Sequence, residues 1–140
     1  MISRHKYLAL ALGLMSGCST AQRSGSGTAL LTGEWQAVEI NGQPVVSPGG
    51  ARRPSLNFQP DSGRVTGTGG CNRLAGPFTQ SGSSLKFGAL AMTRMACADG
   101  ALNTQETAFS AALRDTDQYV IANDTLTLLQ GTARRVRLIR

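Results

Sequence analysis

The most constraining feature of the sequence is a glycine-rich stretch that reads GTGGCN. It places Gly67, Gly69 and Gly70 within four positions, immediately before Cys71 and Asn72. Because glycine carries no Cβ, a strand that enters this stretch can bend sharply or can be approached closely by a second backbone. We therefore expect a tight corner here, with the rest of the chain arranged as sheet around it.

Short alternations of apolar and polar residues on both sides of this corner predict β-strands. Residues 33–40 form the first such run, and Asn41-Gly42, a strong signal for a hairpin turn, follows it directly. Leu56 and Phe58 alternate with polar neighbours in a later run, and residues 119–138 contain three more. In total, the pattern predicts about eight short antiparallel strands.

One segment has the period of a helix instead. Residues 102–114 place Phe109 and Leu113 on one side, and Asn103 with Glu106 three positions later predicts a capping box at the start. A single late helix among antiparallel strands indicates an α+β chain that is mainly antiparallel β. We expect the sheet to curl into a small open barrel.

The N-terminus has the composition of a secretory signal peptide. Residues 1–17 contain Arg4 and Lys6, then a short apolar run, then small residues. The apolar run is much shorter than the roughly 20 residues that a membrane-spanning helix needs. The sequence therefore predicts export of the chain, with this segment removed.

Cys18 directly follows the predicted signal, and residues 14–18 resemble the cleavage site of a bacterial lipoprotein. In such proteins the cysteine becomes the acylated first residue and anchors the chain to the membrane. Residues 18–29 are rich in Ser and Gly, which indicates a flexible tether. We expect the folded domain to occupy residues 30–140.

The number of cysteines is consistent with a lipid anchor. Three cysteines are an odd number for an exported protein, but acylation of Cys18 leaves Cys71 and Cys97 as a pair. An oxidising compartment would allow these two to form a disulfide. A pair of buried free thiols and a redox-active pair remain alternatives.

Residue types that common catalytic sites need are scarce. The only histidine, His5, lies in the predicted signal, so no imidazole would remain to activate a serine or a cysteine. Two cysteines without a histidine fall short of a zinc site, and the glycine stretch lacks the context of a phosphate loop. Glu106 is the most interesting carboxylate, since it could cap the helix or meet an arginine. The sequence predicts no catalytic residue, no metal site and no cofactor.

Basic residues are in surplus, with a formal net charge of +6. Many of them lie at the C-terminal end, which could form a patch for an anionic lipid or an acidic protein. Because an exported protein seldom meets nucleic acid, we expect no nucleic-acid partner. The alternative is a solvated edge strand whose charge prevents pairing with other chains. The residues of this patch are Arg134, Arg135, Arg137 and Arg140.

Several short motifs follow one another along the chain, among them Gly70-Cys71-Asn72 with Gly76 after it, and residues 93–97 with Met95 and Cys97. Their order and spacing resemble those of the META domain, the HslJ-type family of heat-inducible bacterial lipoproteins. The resemblance covers about residues 30–138, and Phe78 stands where the family usually has tyrosine. It implies a small curled antiparallel sheet with a helix, and a loose link to heat stress, antibiotic tolerance and secretion, without a known reaction. The family-motif positions are Gly70, Cys71, Asn72, Gly76, Met95 and Cys97.

Three functions are consistent with these features. The first is a non-enzymatic accessory lipoprotein of the bacterial envelope, at the outer membrane and facing the periplasm, which contacts a protein partner. The second is a carrier of an apolar acyl ligand inside the curled sheet, and the third is a thiol redox enzyme that uses Cys71 and Cys97. The expected lining of a carrier cavity is Leu56, Phe58, Phe87, Leu126 and Leu128.

Overall fold

The computed structural model of the protein describes residues 31–140. The predicted signal peptide at residues 1–17, the lipidation site Cys18 and the tether at residues 18–29 lie outside the described residues. Within the described range, no helix has the length and apolar character required to cross a membrane.

The described chain is a mainly antiparallel β-structure with one α-helix, as the sequence predicts. The helix α1 (Gly100–Asp115) lies between the seventh and eighth strands. The strands are β1 (Gly33–Ile40), β2 (Gln43–Pro44), β3 (Ser55–Gln59), β4 (Arg64–Thr68), β5 (Arg73–Ser81), β6 (Ser84–Phe87), β7 (Ala91–Met92), β8 (Gln118–Ala122), β9 (Thr125–Gln130) and β10 (Ala133–Ile139).

The barrel is closed, so the expectation of an open barrel is wrong. Eight strands form a ring in the order β1-β3-β4-β5-β6-β8-β9-β10, and β10 pairs with β1 to complete it. Ala37 lies opposite Leu138 and Ile40 lies opposite Val136 across this closing pair. Because β10 has a partner on both sides, the expectation of a C-terminal edge strand is also wrong. A pairing between the two ends of a domain leaves no local signal in the sequence.

The contact between β6 and β8 is the shortest of the ring. Only Ser84 and Gln118 are registered partners there. Two flanking hydrogen bonds extend the contact, from the Leu85 N–H to the Asp117 carbonyl at 3.1 Å and from the Tyr119 N–H to the Ser83 carbonyl at 3.0 Å. Helix α1 packs against β6 and β9, on either side of β8, and also against β1 and β10.

Side chains from the strands and the helix fill the barrel with a single hydrophobic core. The rings of Phe58 and Phe78 meet edge to face with 5.2 Å between their centroids, and Phe87 packs partly buried against the same cluster. Close packing of this kind is what stabilises small barrels. The largest fully buried side chains include Leu31, Trp35, Leu56, Phe58, Phe109, Leu113, Leu126, Leu128 and Leu138.

The helix begins two residues earlier than the pattern predicts, and its cap is a different residue. Asp99 is the N-cap, and its carboxylate accepts a 2.7 Å hydrogen bond from the Ala101 N–H. The predicted capping box of Asn103 and Glu106 is therefore wrong. Glu106 turns towards the interior, where it takes part in the contacts described next.

Candidate functional site

The glycine-rich stretch forms the connection between β4 and β5, and side chain and backbone bonds close it into a tight corner. The carbonyl of Asn72 accepts hydrogen bonds from the Gly69 N–H and from the Thr68 hydroxyl, both at 2.9 Å. The Thr68 hydroxyl in turn accepts the Gly70 N–H at 3.0 Å. Gly70 has a φ of 110°, a backbone conformation that side chains with a Cβ rarely adopt.

The carboxylate of Glu106 enters this corner from helix α1. One oxygen accepts the N–H groups of Cys71 at 3.1 Å and of Asn72 at 2.6 Å, while the other accepts the Asn72 side-chain amide. Glu106 is only 6% exposed. Hydrogen bonds to an ionised acceptor are stronger than neutral ones, and they satisfy a charge that would otherwise be costly to bury.

The absence of a side chain at Gly69 leaves room for the carboxylate of Glu106. A Cβ at this position would lie 2.7 Å from Oε2 of Glu106, closer than non-bonded atoms tolerate. The carboxylate cannot easily move away from an added Cβ, because it accepts hydrogen bonds from three donors. Gly69 is therefore required by the close approach of a side chain and not by an unusual backbone angle.

The side chain of Asn72 connects the corner to the segment that carries Met95. Its oxygen accepts the Met95 N–H at 2.7 Å and the Thr93 hydroxyl at 3.0 Å, and its amide also donates to the Met95 carbonyl at 3.2 Å. The side chain of Asn72 therefore bonds to both the N–H and the carbonyl of Met95, as the backbone of a neighbouring strand would. Asn72 thus holds this segment against the corner, and Asn72 itself is 4% exposed.

A disulfide between Cys71 and Cys97 adds a covalent connection between the same two segments. Their Cα atoms lie 5.8 Å apart, a separation that disulfides commonly have. Both residues are partly exposed. Of the three alternatives for these cysteines, the structure thus contains the bonded pair.

The family-motif residues fall into two places in the fold. Gly70, Cys71, Asn72, Met95 and Cys97 meet at the corner. Gly76 lies on β5 opposite Val65, where a Cβ would come within 2.8 Å of the Leu90 side chain. Gly76 therefore allows the segment before β7 to cross close to the sheet.

The sequence interpretation did not identify the role of Glu106 in the corner. One signal could have revealed it, because Glu106 lies on the same side of the helix as Leu102, Phe109 and Leu113, which are all buried. A carboxylate on an apolar helix face needs donors from another part of the chain. Asn72, the polar residue beside the glycines, could have been expected to supply such donors.

The corner brings together cysteine and carboxylate side chains, which are residue types that bind metals or act in catalysis. Ligand atoms of Cys71, Cys97 and Glu106 lie within 4.8 Å of one another. The two sulfurs are bonded to each other and therefore provide no thiolate, which is the form that attacks carbon or binds metal. The oxygens of Glu106 already accept three hydrogen bonds. In this arrangement the corner serves as a structural joint.

Each of the four C-terminal arginines has an acidic partner. Glu39 forms ion pairs with Arg134 at 2.9 Å and with Arg137 at 3.7 Å. Arg135 pairs with Asp115 at 3.8 Å and Arg140 pairs with Asp124 at 3.5 Å. Arg140 also lies over the ring of Trp35, 4.5 Å from its centroid. The role of this surface as a patch for an anionic partner stays a prediction.

Comparisons with known proteins give the family. The sequence profile of the META domain matches residues 28–140. The heat shock protein HslJ of Escherichia coli (strain K12) is 32% identical over 123 residues, which cover 87% of this chain and 84% of that protein.

Two solved structures have a similar fold. An NMR structure of a protein from Burkholderia xenovorans has a TM-score of 0.67 at 21% identity, covering 92% of this chain and 98% of that one. A second NMR structure has a TM-score of 0.62 at 28% identity, covering 78% of this chain and 89% of that one. The profile match and the relative at 32% identity confirm the resemblance drawn from the motifs: the chain belongs to the META domain family.

Proposed function

We propose that the protein is a stress-related accessory protein of the bacterial envelope that acts by contacting another protein, without catalysing a reaction. Its similarity to a relative named as a heat shock protein supports the link to stress. Export and acylation at Cys18 would attach it to the membrane, and Ser19 at the next position favours the outer membrane and a periplasm-facing domain.

The observation that carries this proposal is the internal use of every reactive group at the corner. Glu106 accepts three hydrogen bonds from the corner itself, the amide of Asn72 bonds to Met95, and the two cysteines bond to each other. A catalytic acid, base or nucleophile has to be available to a substrate. Groups that are occupied in this way hold segments together instead.

The carrier function receives less support from the core. Leu56, Phe58, Leu126 and Leu128 are at most 2% exposed, and they belong to one packed cluster with Phe87 against it. A carrier needs space of several hundred cubic ångströms between such residues. The side chains that would line that space contact one another.

Crosslinking in intact cells tests the proposal. Cells that produce the full chain are treated with a membrane-permeant crosslinker, before and after heat shock, and adducts are identified by mass spectrometry. We expect a specific envelope protein among the adducts, and fatty-acid labelling that is lost in Cys18→Ser. Recovery of an acyl ligand with the purified chain, together with no specific protein adduct, would favour the carrier and contradict the proposal.

A further inference from the structure

We propose that a cleft beside the disulfide binds an extended acidic segment of a protein partner. This inference rests on the proposed function and names the surface through which contact is made. The cleft has a volume of about 600 Å³, and we call it the arginine cleft. Its lining includes Arg52, Thr68, Cys71, Arg73 and Met95.

Charge distribution is the first reason for this assignment. All eight acidic residues of the chain lie within residues 31–140, and none of them lines the arginine cleft. The ion pairs of the described residues involve the C-terminal arginines and include neither Arg52 nor Arg73. Both are exposed. Glu34 lines a neighbouring cleft together with Arg52 but forms no ion pair with it. The guanidinium groups of the arginine cleft therefore have no carboxylate within residues 31–140 as an ion-pair partner.

The positive surface continues past one wall of the cleft. Thr93 lines both the arginine cleft and a second cleft of about 330 Å³, which Arg94 and Arg114 also line. Glu106 lies at this second cleft, but its oxygens are held by the corner. An acidic chain that lies across Thr93 could thus meet a guanidinium on either side.

The chemistry of the lining favours a peptide. A guanidinium presents paired donors that match the two oxygens of a carboxylate. Met95 is 60% exposed at the cleft, and Met and Arg are both enriched at protein interfaces. The volume falls within the usual range for binding clefts, about 300–1,000 Å³.

A membrane surface fits the same residues less well. Binding to anionic lipid uses clusters of roughly four to eight basic residues that face a plane. Here Arg52 and Arg73 line a concave surface, and the adjoining walls include Gly70 and Cys71. An extended segment can enter such a concavity, whereas a flat bilayer contacts its rim.

Fluorescence anisotropy on the full chain tests the inference with a labelled short peptide rich in Asp and Glu. A matched peptide carries Asn and Gln in their place. The double variant Arg52→Gln/Arg73→Gln should weaken binding of the acidic peptide about tenfold, since each partly exposed charge contact contributes a few-fold. The control Arg64→Gln/Lys86→Gln removes the same charge from exposed residues outside the cleft and should change binding less than about twofold.

Amide chemical shifts provide a second measurement that needs no variant. Addition of the acidic peptide to the wild type should move the resonances of Gly70, Thr93 and Met95, and the amide peptide should not. Equal loss of affinity in the two double variants, or equal binding of the two peptides, would overturn the inference. So would vesicles of anionic phospholipid that bind through Arg52 and Arg73 while the acidic peptide does not. Crosslinking to a protein through another surface would overturn the assignment of the arginine cleft as the binding site. It would leave the proposed function standing.

Discussion

The carboxylate of Glu106 accepts a 2.6 Å hydrogen bond from the backbone N–H of Asn72, 34 positions earlier in the chain. The N–H of Cys71 reaches the same oxygen at 3.1 Å. Successive N–H groups that converge in this way form a nest for an anion. The glycine-rich corner thus has the anion-binding geometry that glycine-rich loops often provide, and a carboxylate of the protein itself fills it.

Neutralising this carboxylate should weaken the fold. We expect Glu106→Gln to lower the free energy of unfolding by about 2 kcal/mol, because charge-assisted bonds are lost and the new amide would face the Asn72 amide donor. Asn72 cannot turn its side chain around without losing the bond from the Met95 N–H. Urea unfolding followed by the fluorescence of Trp35, the only tryptophan, measures the effect.

Glu34→Gln is the matched control for this measurement. Glu34 is exposed on β1, so its substitution should change the free energy of unfolding by no more than about 0.5 kcal/mol. Equal stability of Glu106→Gln and Glu34→Gln would mean that the buried carboxylate does not hold the corner.

Two glycine substitutions separate close approach from general flexibility. Gly69→Ala should lower the free energy of unfolding by about 2 kcal/mol or more, because its Cβ would lie 2.7 Å from Oε2 of Glu106. Gly100→Ala is the control, since no atom lies within 4 Å of its Cβ and the position begins helix α1. It should be neutral or slightly stabilising. Thermal unfolding compares the stability of the two variants. A Gly69→Ala protein as stable as Gly100→Ala would contradict the geometry of the corner.

The disulfide should contribute a large share of stability. Cys71 and Cys97 are separated by 26 positions, and loop-closure theory assigns such a crosslink about 3 to 4 kcal/mol. Reduction, or the double variant Cys71→Ser/Cys97→Ser, should lower the urea midpoint accordingly. The reductant should leave the double variant unchanged. Two reactive thiols in protein taken from cells under non-reducing conditions would show that the bond does not form in the cell.

The sequence predicted much of the fold because strand and helix periods are local properties. Asn41-Gly42 ends β1 and turns into β2 with positive φ at both residues, as hairpin signals of this type require. The closing pair of β1 and β10 was missed, since Ile40 and Val136 are far apart in sequence and neither strand signals its partner. The contact of Glu106 with Asn72 was missed for the same reason. The arginine cleft also depends on tertiary structure, which brings Arg52 and Arg73 from separate segments to one concavity.

Alkaline pH should destabilise the protein through Tyr119. Burial raises the pKa of its phenol above the ordinary value of about 10, and the hydrogen bond from Gln80 partly offsets this rise in pKa. The folded phenol therefore keeps its proton at a pH where the unfolded one loses it. This contribution to stability is complete below about pH 10 and is lost as the pH rises through the folded pKa.

The variant Tyr119→Phe isolates this effect. The difference in the free energy of unfolding between the wild type and Tyr119→Phe should shift in favour of the variant above about pH 10. Urea unfolding at a series of pH values measures this difference. Effects of other ionisable groups cancel, because they occur in both proteins. A difference that stays constant with pH would contradict the raised pKa.

Contact with a protein at the arginine cleft is tested most directly by site-specific photo-crosslinking in living cells. A photoreactive amino acid replaces either Met95, which is 60% exposed at the cleft, or Val120, which is 54% exposed on β8. We predict a discrete protein adduct from position 95 that disappears in Arg52→Gln/Arg73→Gln, and none from position 120. The same adducts from both positions, or no protein adduct from position 95, would contradict a partner at the cleft.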